Sequence, residues 1–145
     1  MGGRFHGGMR QLRWSDVREW FDPDDAPLHD GCVAGVGAEA WAAVVGLVRE
    51  KGWRREEDEV RFSVWPAEGF LVNFFEADDD VVLFDIDVRE LQGQERLDLL
   101  GAFLRELGQA FGRPVALTFE GFDPSEMPYL HYDPVADGFV LDREP

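Results

Sequence analysis

The chain has 145 residues, the size of one domain, and 45% of them are hydrophobic, including 12 Phe and 5 Trp, so we expect a folded core rather than a disordered chain. Acidic residues number 30 and basic residues 14, which gives a net charge of −16. A surface this negative repels the phosphates of nucleic acids, so we expect no nucleic-acid partner and favour a basic protein partner.

Several classes of protein are disfavoured by features that the sequence lacks. It contains no run of about 18 apolar residues, so we predict no membrane-spanning helix and no membrane partner. The opening residues lack the apolar stretch of a secretory signal. Cys32 is the single cysteine, so no disulfide can form within the chain. We therefore expect a cytoplasmic protein; the 13 arginines beside one lysine suggest a GC-rich bacterial source and carry no functional meaning.

The N-terminal half is predicted to contain a tail, a loop and two helices. Residues 1–13 are rich in Gly and Arg, and we predict a disordered tail followed by a single domain over 14–145. A short helix is expected over 15–21, and residues 22–31 are predicted to be loop. Residues 38–51 predict a helix, since Trp41, Val44, Val45 and Val48 recur at helical spacing before Gly52.

Strand patterns and one helix follow. Strands are predicted at 59–65, 70–77, 81–88 and 114–121, with two more between 127 and 141. An unbroken apolar stripe predicts a helix over 94–111 that ends at Gly112. We therefore predict a single α+β domain with a mostly antiparallel sheet of about five to six strands, on which a long amphipathic helix (94–111) and an N-terminal helix (38–51) pack. The helix over 94–111 is long enough to return its strand parallel to the 81–88 strand.

The hairpin around Asp78, Asp79 and Asp80 carries the most informative surface. A three-residue loop there sets Phe74 opposite Phe84, whereas a two-residue loop would bring acids to the core face. The favoured register leaves a second face that is apolar near the turn and acidic at its far end. Its members are Leu71, Asn73, Phe75, Val81, Leu83, Asp85 and Asp87.

Asp85 and Asp87 also suggest a metal site. Two carboxylates at i and i+2 can bind Mg²⁺ or Mn²⁺, and the pair resembles the aspartates of nucleotidyltransferases and of haloacid-dehalogenase phosphatases. That resemblance covers three residues, and the remaining features of those families do not follow in this sequence. Glu120 is an available third acid whose position the sequence does not give. We favour an acidic strand end and keep Asp85 and Asp87 as the metal candidates.

Other motifs carry weaker signals. Residues 35–40 match G-x-G-x-x-A at a helix start, but the βαβ context of a dinucleotide site is missing, so we predict no cofactor. His29 and Cys32 lie three apart in the predicted loop and suggest a thiolate–imidazole pair. His131 is a further candidate base, although its Tyr neighbours favour a structural role.

These patterns favour a non-enzymatic acidic protein that binds a basic protein surface, in the manner of an antitoxin or immunity-type inhibitor. One alternative is a small metal- or ligand-binding enzyme that uses Asp85, Asp87 and His131. A second alternative is a self-associating structural protein, and the sequence leaves monomer and homodimer open. The residues expected to contact a partner are Asp78, Asp79, Asp80, Asp85, Asp87, Leu71, Phe75 and Leu83.

Overall fold

The computed structural model describes residues 9–76 and 80–143 and shows one sheet of eight strands with three helices in that part of the chain. The helices are α1 (Trp14–Val17), α2 (Ala40–Lys51) and α3 (Gln94–Phe111). The strands are β1 (Leu28–Ala34), β2 (Arg54–Glu57), β3 (Arg61–Ala67), β4 (Phe70–Phe75), β5 (Val81–Asp87), β6 (Val115–Phe119), β7 (Leu130–Asp133) and β8 (Gly138–Leu141).

The α+β class is confirmed. The sheet has eight strands, whereas about five to six were predicted. The six predicted strands are present, and β1 and β2 are additional. Helix α3 has the predicted bounds; its 18 residues lie within the ordinary range of globular helices, so it is not notably long. Helices α2 and α3 end at Gly52 and Gly112, which adopt the left-handed conformation with φ of 67° and 64°.

Strand β1 lies in the middle of the sheet, whose order is β2-β3-β4-β5-β1-β6-β7-β8 with every pairing antiparallel. The predicted loop over 22–31 is therefore wrong from Leu28 onward. β1 pairs with β5 on one side and with β6 on the other. The strand after the 94–111 helix, β6, runs in the same direction as β5, as expected, but β1 lies between them and the two strands do not pair.

Two other parts of the fold differ from the prediction. β2 is a fully exposed, charged edge strand, and Pro66 lies within β3, where the register shifts between Val64 and Ala67. Residues 1–8 of the predicted tail lie outside the described residues. Residues 9–13 belong to the fold, since Met9 exchanges backbone hydrogen bonds of 2.7 and 2.6 Å with Phe139 and the Leu12 side chain is buried.

The hydrophobic core lies between α2 and α3 and one face of the sheet. The predicted β4–β5 register is confirmed, with Val72 opposite Ile86 and Phe74 opposite Phe84. The ring of Phe103 on α3 packs edge-on against Phe84, with ring centroids 5.5 Å apart. Alternate residues of β4 and β5 are buried, as a strand with one face on a core requires.

Glycines allow the turn that follows β1 and a close ring contact at its centre. Gly35 and Gly37 have φ of 72° and 84° and turn the chain from β1 towards α2, and the Arg113 side chain lies against Gly35. The G-x-G-x-x-A match thus has a structural explanation. At the centre, the Phe84 ring lies across the backbone of Gly31, where any Cβ would overlap the ring. Gly31 therefore makes room for a core aromatic residue.

The opposite face of the sheet is only partly covered. The segment 120–128 folds over the β6 end, where the Thr118 hydroxyl donates a 2.6 Å hydrogen bond to the Met127 carbonyl. The β4 and β5 side chains on this face, including Phe75 and Leu83, remain half-buried. Helices long and apolar enough to cross a bilayer do not occur among residues 9–76 and 80–143.

We predict that Gly31→Ala lowers the free energy of unfolding by about 1–3 kcal/mol, because the added methyl group overlaps the Phe84 ring. Gly46→Ala is the matched control. Gly46 is an exposed position of α2 with open space around it, so alanine there should raise stability by about 0.5–1 kcal/mol through helix propensity. Chemical denaturation measures both. Equal stability of the two variants would contradict the assigned β1 register.

Candidate functional site

A cleft of about 580 Å³ lies on the partly covered face of the sheet, between β4, β5 and β1 on one side and residues 122–125 on the other. This volume is within the range of ligand-binding pockets in proteins. The lining residues are Asp30, Gly31, Cys32, Ala34, Phe75, Asp80, Val81, Leu83, Phe84, Phe122, Asp123, Pro124 and Ser125.

The cleft combines an apolar surface with negative charge. Phe75, Val81 and Leu83 contribute apolar area from the sheet, and Phe122 contributes it from the covering segment. The Phe122 side chain is 49% exposed, so it offers apolar surface at the rim of the cleft. All charged residues among the described lining are aspartates.

Asp30 and Asp85 form a pair of like charges directly across β1 and β5. Burial raises the pKa of the Asp30 carboxyl, opposed by a 3.3 Å hydrogen bond from the Gly121 amide and reinforced by the charge of Glu120. Burial also raises the pKa of Asp85, and the charges of Asp30 and Glu120 add to that effect. Like charges in direct cross-strand positions are unfavourable for the sheet. The structure thus places side by side two carboxylates whose charged forms are disfavoured, with Asp30 in the cleft and Asp85 next to it.

A row of polar side chains extends from this pair toward the edge of the sheet. Ser63 donates a 2.7 Å hydrogen bond to the Asn73 amide oxygen, and the Asn73 amide nitrogen donates a 3.1 Å hydrogen bond to Asp85. This bond favours the ionised form of Asp85 but does not cancel the effect of burial. The row fixes the orientation of the Asp85 carboxylate on the open face.

The two other acids of the cleft are held by their local backbone. Asp123 accepts hydrogen bonds from the amide and the hydroxyl of Ser125, at 2.9 and 2.7 Å, and these lower its pKa. The Asp80 carbonyl accepts the Gly35 and Val36 amides, at 2.8 and 3.2 Å, so Asp80 is anchored at the end of β1. The Asp123 carboxylate and the Asp80 backbone are therefore both fixed next to the apolar surface.

Only some of the residues predicted to contact a partner line the cleft. Asp80, Phe75 and Leu83 line the cleft, and Asp85 lies next to it beside Asp30. Asp78 and Asp79 lie outside the described residues.

Leu71 and Asp87 share the open face with these residues but do not line the cleft. Asp87 pairs instead with the Arg89 guanidinium, at 2.7 Å, which lowers the Asp87 pKa.

The two predicted metal ligands, Asp85 and Asp87, form hydrogen bonds with different residues. Asp85 bonds to Asn73 and Asp87 to Arg89, so each carboxylate already has a partner within the chain. Glu120, which the sequence could not place, lies close enough to affect both Asp30 and Asp85 electrostatically. Among the described residues, no three His, Cys, Asp or Glu side chains come together in a group that would hold a metal ion.

His29 and Cys32 lie in strand β1 rather than in a loop, and they point to opposite faces of the sheet. Cys32 is 3% exposed, and burial raises the pKa of its thiol to about 11. Cys32 and His131 both line a second cavity of about 360 Å³, where Asp142 bonds the His131 ring at 2.9 Å. These two described side chains share no hydrogen bond. The thiol is therefore protonated at neutral pH and is not activated as a nucleophile.

His29 is completely buried among aromatic rings on the core face. Its Nδ1 atom lies 2.7 Å from the Tyr129 hydroxyl, and its Nε2 atom has no hydrogen-bond partner. Burial lowers the pKa of His29 to about 4, against a smaller opposing effect of the Asp87 charge. The imidazole is therefore neutral at physiological pH.

Asp30, Phe122 and Asp123 are cleft residues that the sequence interpretation missed. The sequence interpretation places Asp30 in a loop, yet Pro27 and Gly35 bracket a seven-residue segment that forms a strand, in which the half-buried Leu28 and Asp30 alternate with the buried His29 and Gly31. That bracketing was the available signal for a strand. No comparable signal places residues 122–125 over the sheet, because that contact joins distant parts of the chain.

The chain matches no protein-family model, and no match is found among curated proteins or among solved structures.

We predict that Asp30→Asn raises the free energy of unfolding at pH 7 by up to about 1 kcal/mol, since it removes a disfavoured charge while keeping an acceptor for the Gly121 amide. The opposite control is Asp123→Asn. Hydrogen bonds from Ser125 favour the ionised form of Asp123, so this substitution should not stabilise the protein. Urea denaturation compares the two, and a greater loss of stability in Asp30→Asn would contradict the assignment.

We also predict that a proton NMR titration finds the pKa values of the two described histidines shifted in opposite directions from the usual value. His29 should titrate near pH 4, and Asp142 should raise the pKa of His131 above its usual value. Between pH 6.5 and 4 the unfolded chain binds a proton at His29 that the folded chain does not, so stability falls by up to about 3 kcal/mol as the pH drops through this window. The contribution of His131 has the opposite sign and is lost as the pH rises through its folded-state pKa. A pKa near 6.5 for His29 would contradict its burial.

Proposed function

We propose that this chain is a non-enzymatic binding protein whose cleft receives a basic segment of another protein. The observation that carries the proposal is the lining of the cleft, where an apolar surface is surrounded by Asp30, Asp80 and Asp123. A cationic guest would be attracted by all three carboxylates and would bury its apolar parts against Phe75 and Leu83.

The charge of the whole chain supports the same proposal. At a net charge of −16, the protein attracts basic partners over a distance and speeds their encounter, with a strong dependence on ionic strength. Acids elsewhere on the surface, including Asp58, Asp87 and Asp137, form ion pairs with arginines of the chain. The described arginines and lysine form no ion pair with the three cleft aspartates.

An inhibitor that covers the basic active site of an enzyme, as antitoxins and immunity proteins do, is the concrete form that we favour. The size of the chain and its acidity support this form, since carboxylates can occupy a site that normally binds phosphate. The apolar part of the cleft would add affinity that charge alone does not supply.

The test compares two triple variants in which three acids are neutralised. Each variant therefore has a net charge of −13 instead of −16. The first is Asp30→Asn, Asp80→Asn, Asp123→Asn. The second is Glu19→Gln, Glu50→Gln, Glu95→Gln, which removes three exposed acids outside the cleft. Calorimetric titration with small basic proteins such as cytochrome c and lysozyme measures the affinity at two salt concentrations.

We expect the cleft variant to bind about tenfold more weakly than the control variant, because three contacts of about 0.5 kcal/mol each sum to roughly the free energy of a tenfold change. Equal affinities would show that overall charge alone is responsible for binding. Absence of binding by the unaltered chain to every basic probe would argue against the proposed function itself.

A second candidate function is an enzyme that uses carboxylates, and the pair formed by Asp30 and Asp85 favours it. Raised pKa values in neighbouring carboxyls are common at catalytic sites. This version replaces the predicted pairing of Asp85 with Asp87. A rise in melting temperature with Mg²⁺, Mn²⁺ or a nucleotide, lost in Asp85→Asn, would favour the enzyme over the binding protein.

Self-association remains the third proposal, because Leu71, Phe75 and Leu83 are half-buried on one face of the sheet. Light scattering of the unaltered chain distinguishes it from the other two, since a homodimer built on this face should dissociate in Phe75→Ser.

A further inference from the structure

We propose that the cleft binds an extended protein segment in which two basic residues flank an apolar residue at alternate positions, in the order basic–x–apolar–x–basic. This inference rests on the proposed function and names the chemistry of the partner segment. It follows from the positions of charged and apolar residues along β1.

The charges of the cleft are separated along the direction of β1. Asp30 lies near one end, and Asp80 lies near the other, where its carbonyl accepts the Gly35 amide next to Ala34. Asp30 and Ala34 are four positions apart in one strand, which corresponds to about 13 Å. A single compact cation cannot contact both ends, so the guest needs two cations.

The space between the two ends is apolar. Cys32 lies directly opposite Leu83 across β1 and β5, and both line the cleft midway between Asp30 and Ala34. Phe122 faces the same cleft from the covering segment and is 49% exposed. An apolar side chain from a partner would remove the exposed surface of Leu83 and Phe122 from water.

The spacing matches an extended guest. In a strand, residues i, i+2 and i+4 point to the same side and span about 13 Å, so three alternate side chains can reach both ends and the middle of the cleft together. A helical segment places i and i+4 only about 6 Å apart and would not reach both ends. Arginine fits the end positions because its planar guanidinium can bind a carboxylate through two hydrogen bonds.

Asp123 adds a third carboxylate on the wall of the cleft, close enough to Cys32 that its charge contributes to the raised pKa of the thiol. Its carboxylate is held in place by Ser125. A guest that carries an acid at the middle position would therefore be repelled.

The experiment uses the full-length chain and two synthetic peptides with blocked ends and the same composition. One contains Arg-Gly-Leu-Gly-Arg, and the other contains the adjacent order Gly-Arg-Arg-Leu-Gly. Fluorescence anisotropy of labelled peptides measures both affinities at low and at physiological salt. We expect the alternating peptide to bind at least tenfold more tightly than the adjacent one.

Two variants locate the binding. Phe122→Ser should weaken binding of the alternating peptide severalfold, whereas Val135→Ser, at a residue that is 94% exposed and outside the cleft, should leave it unchanged. The double variant Asp30→Asn, Asp80→Asn should remove most of the difference between the peptides. Because Phe122 is exposed, its substitution should leave the fold intact, which circular dichroism verifies.

Equal binding of the two peptides, or binding that Phe122→Ser does not affect, would overturn this inference while leaving the proposed function to its own test with basic proteins. Failure of both peptides would also overturn it.

Discussion

The close approach of the Phe84 ring to the backbone of Gly31 holds the central strand in register. This contact requires a residue without a Cβ atom in β1, directly opposite a large aromatic residue in β5. A slip by one position would turn the Asp30 side chain toward the helices and expose core residues. Burial of an unpaired carboxylate there would be strongly unfavourable. The same register therefore determines the packing of the core and the composition of the cleft.

Asp30 and Asp85 differ in their surroundings from other acids of the surface. Asp87 and Asp137 are satisfied by arginines of the chain, and their pKa values are lowered accordingly. The charged forms of Asp30 and its neighbour Asp85 are instead disfavoured by burial, and the charge of Glu120 adds to the effect on both. Sites where folding is locally unfavourable are commonly sites of function, because a ligand can supply the missing interaction. A cation in the cleft would make the arrangement favourable for both the sheet and the guest.

Burial patterns made the hairpin of β4 and β5 predictable in detail, since only one register keeps Asp85 and Asp87 away from the core. The ends of α2 and α3 were predictable because Gly52 and Gly112 occupy the left-handed conformation that ends helices. β2 and β1 were not predictable to the same degree. The charged sequence of β2 carries no apolar alternation, and β1 contains Gly31 and several polar residues whose strand conformation depends on neighbours distant in sequence.

The cleft could be predicted only in part, because some of its residues come together through contacts between distant parts of the chain. Phe75, Asp80 and Leu83 belong to a local hairpin, and their common surface follows from its turn. Asp30 and Asp123 join them through long-range contacts that no local pattern specifies. The acidic, partly apolar character of the face was thus accessible from the sequence, whereas its concave shape required the position of β1 and of residues 122–125.

The central position of β1 also has a consequence for the order of folding. His29 pairs with Phe119, 90 positions further along the chain, and Leu28 pairs with Asp87. During synthesis the strand leaves the ribosome early, but both of its neighbours are made much later. Closing such distant contacts loses chain entropy before it gains pairing energy, so the sheet should assemble slowly compared with its local hairpins. Until then β1 has two unpaired edges, and a nascent chain of this protein would be vulnerable to misassociation at that strand.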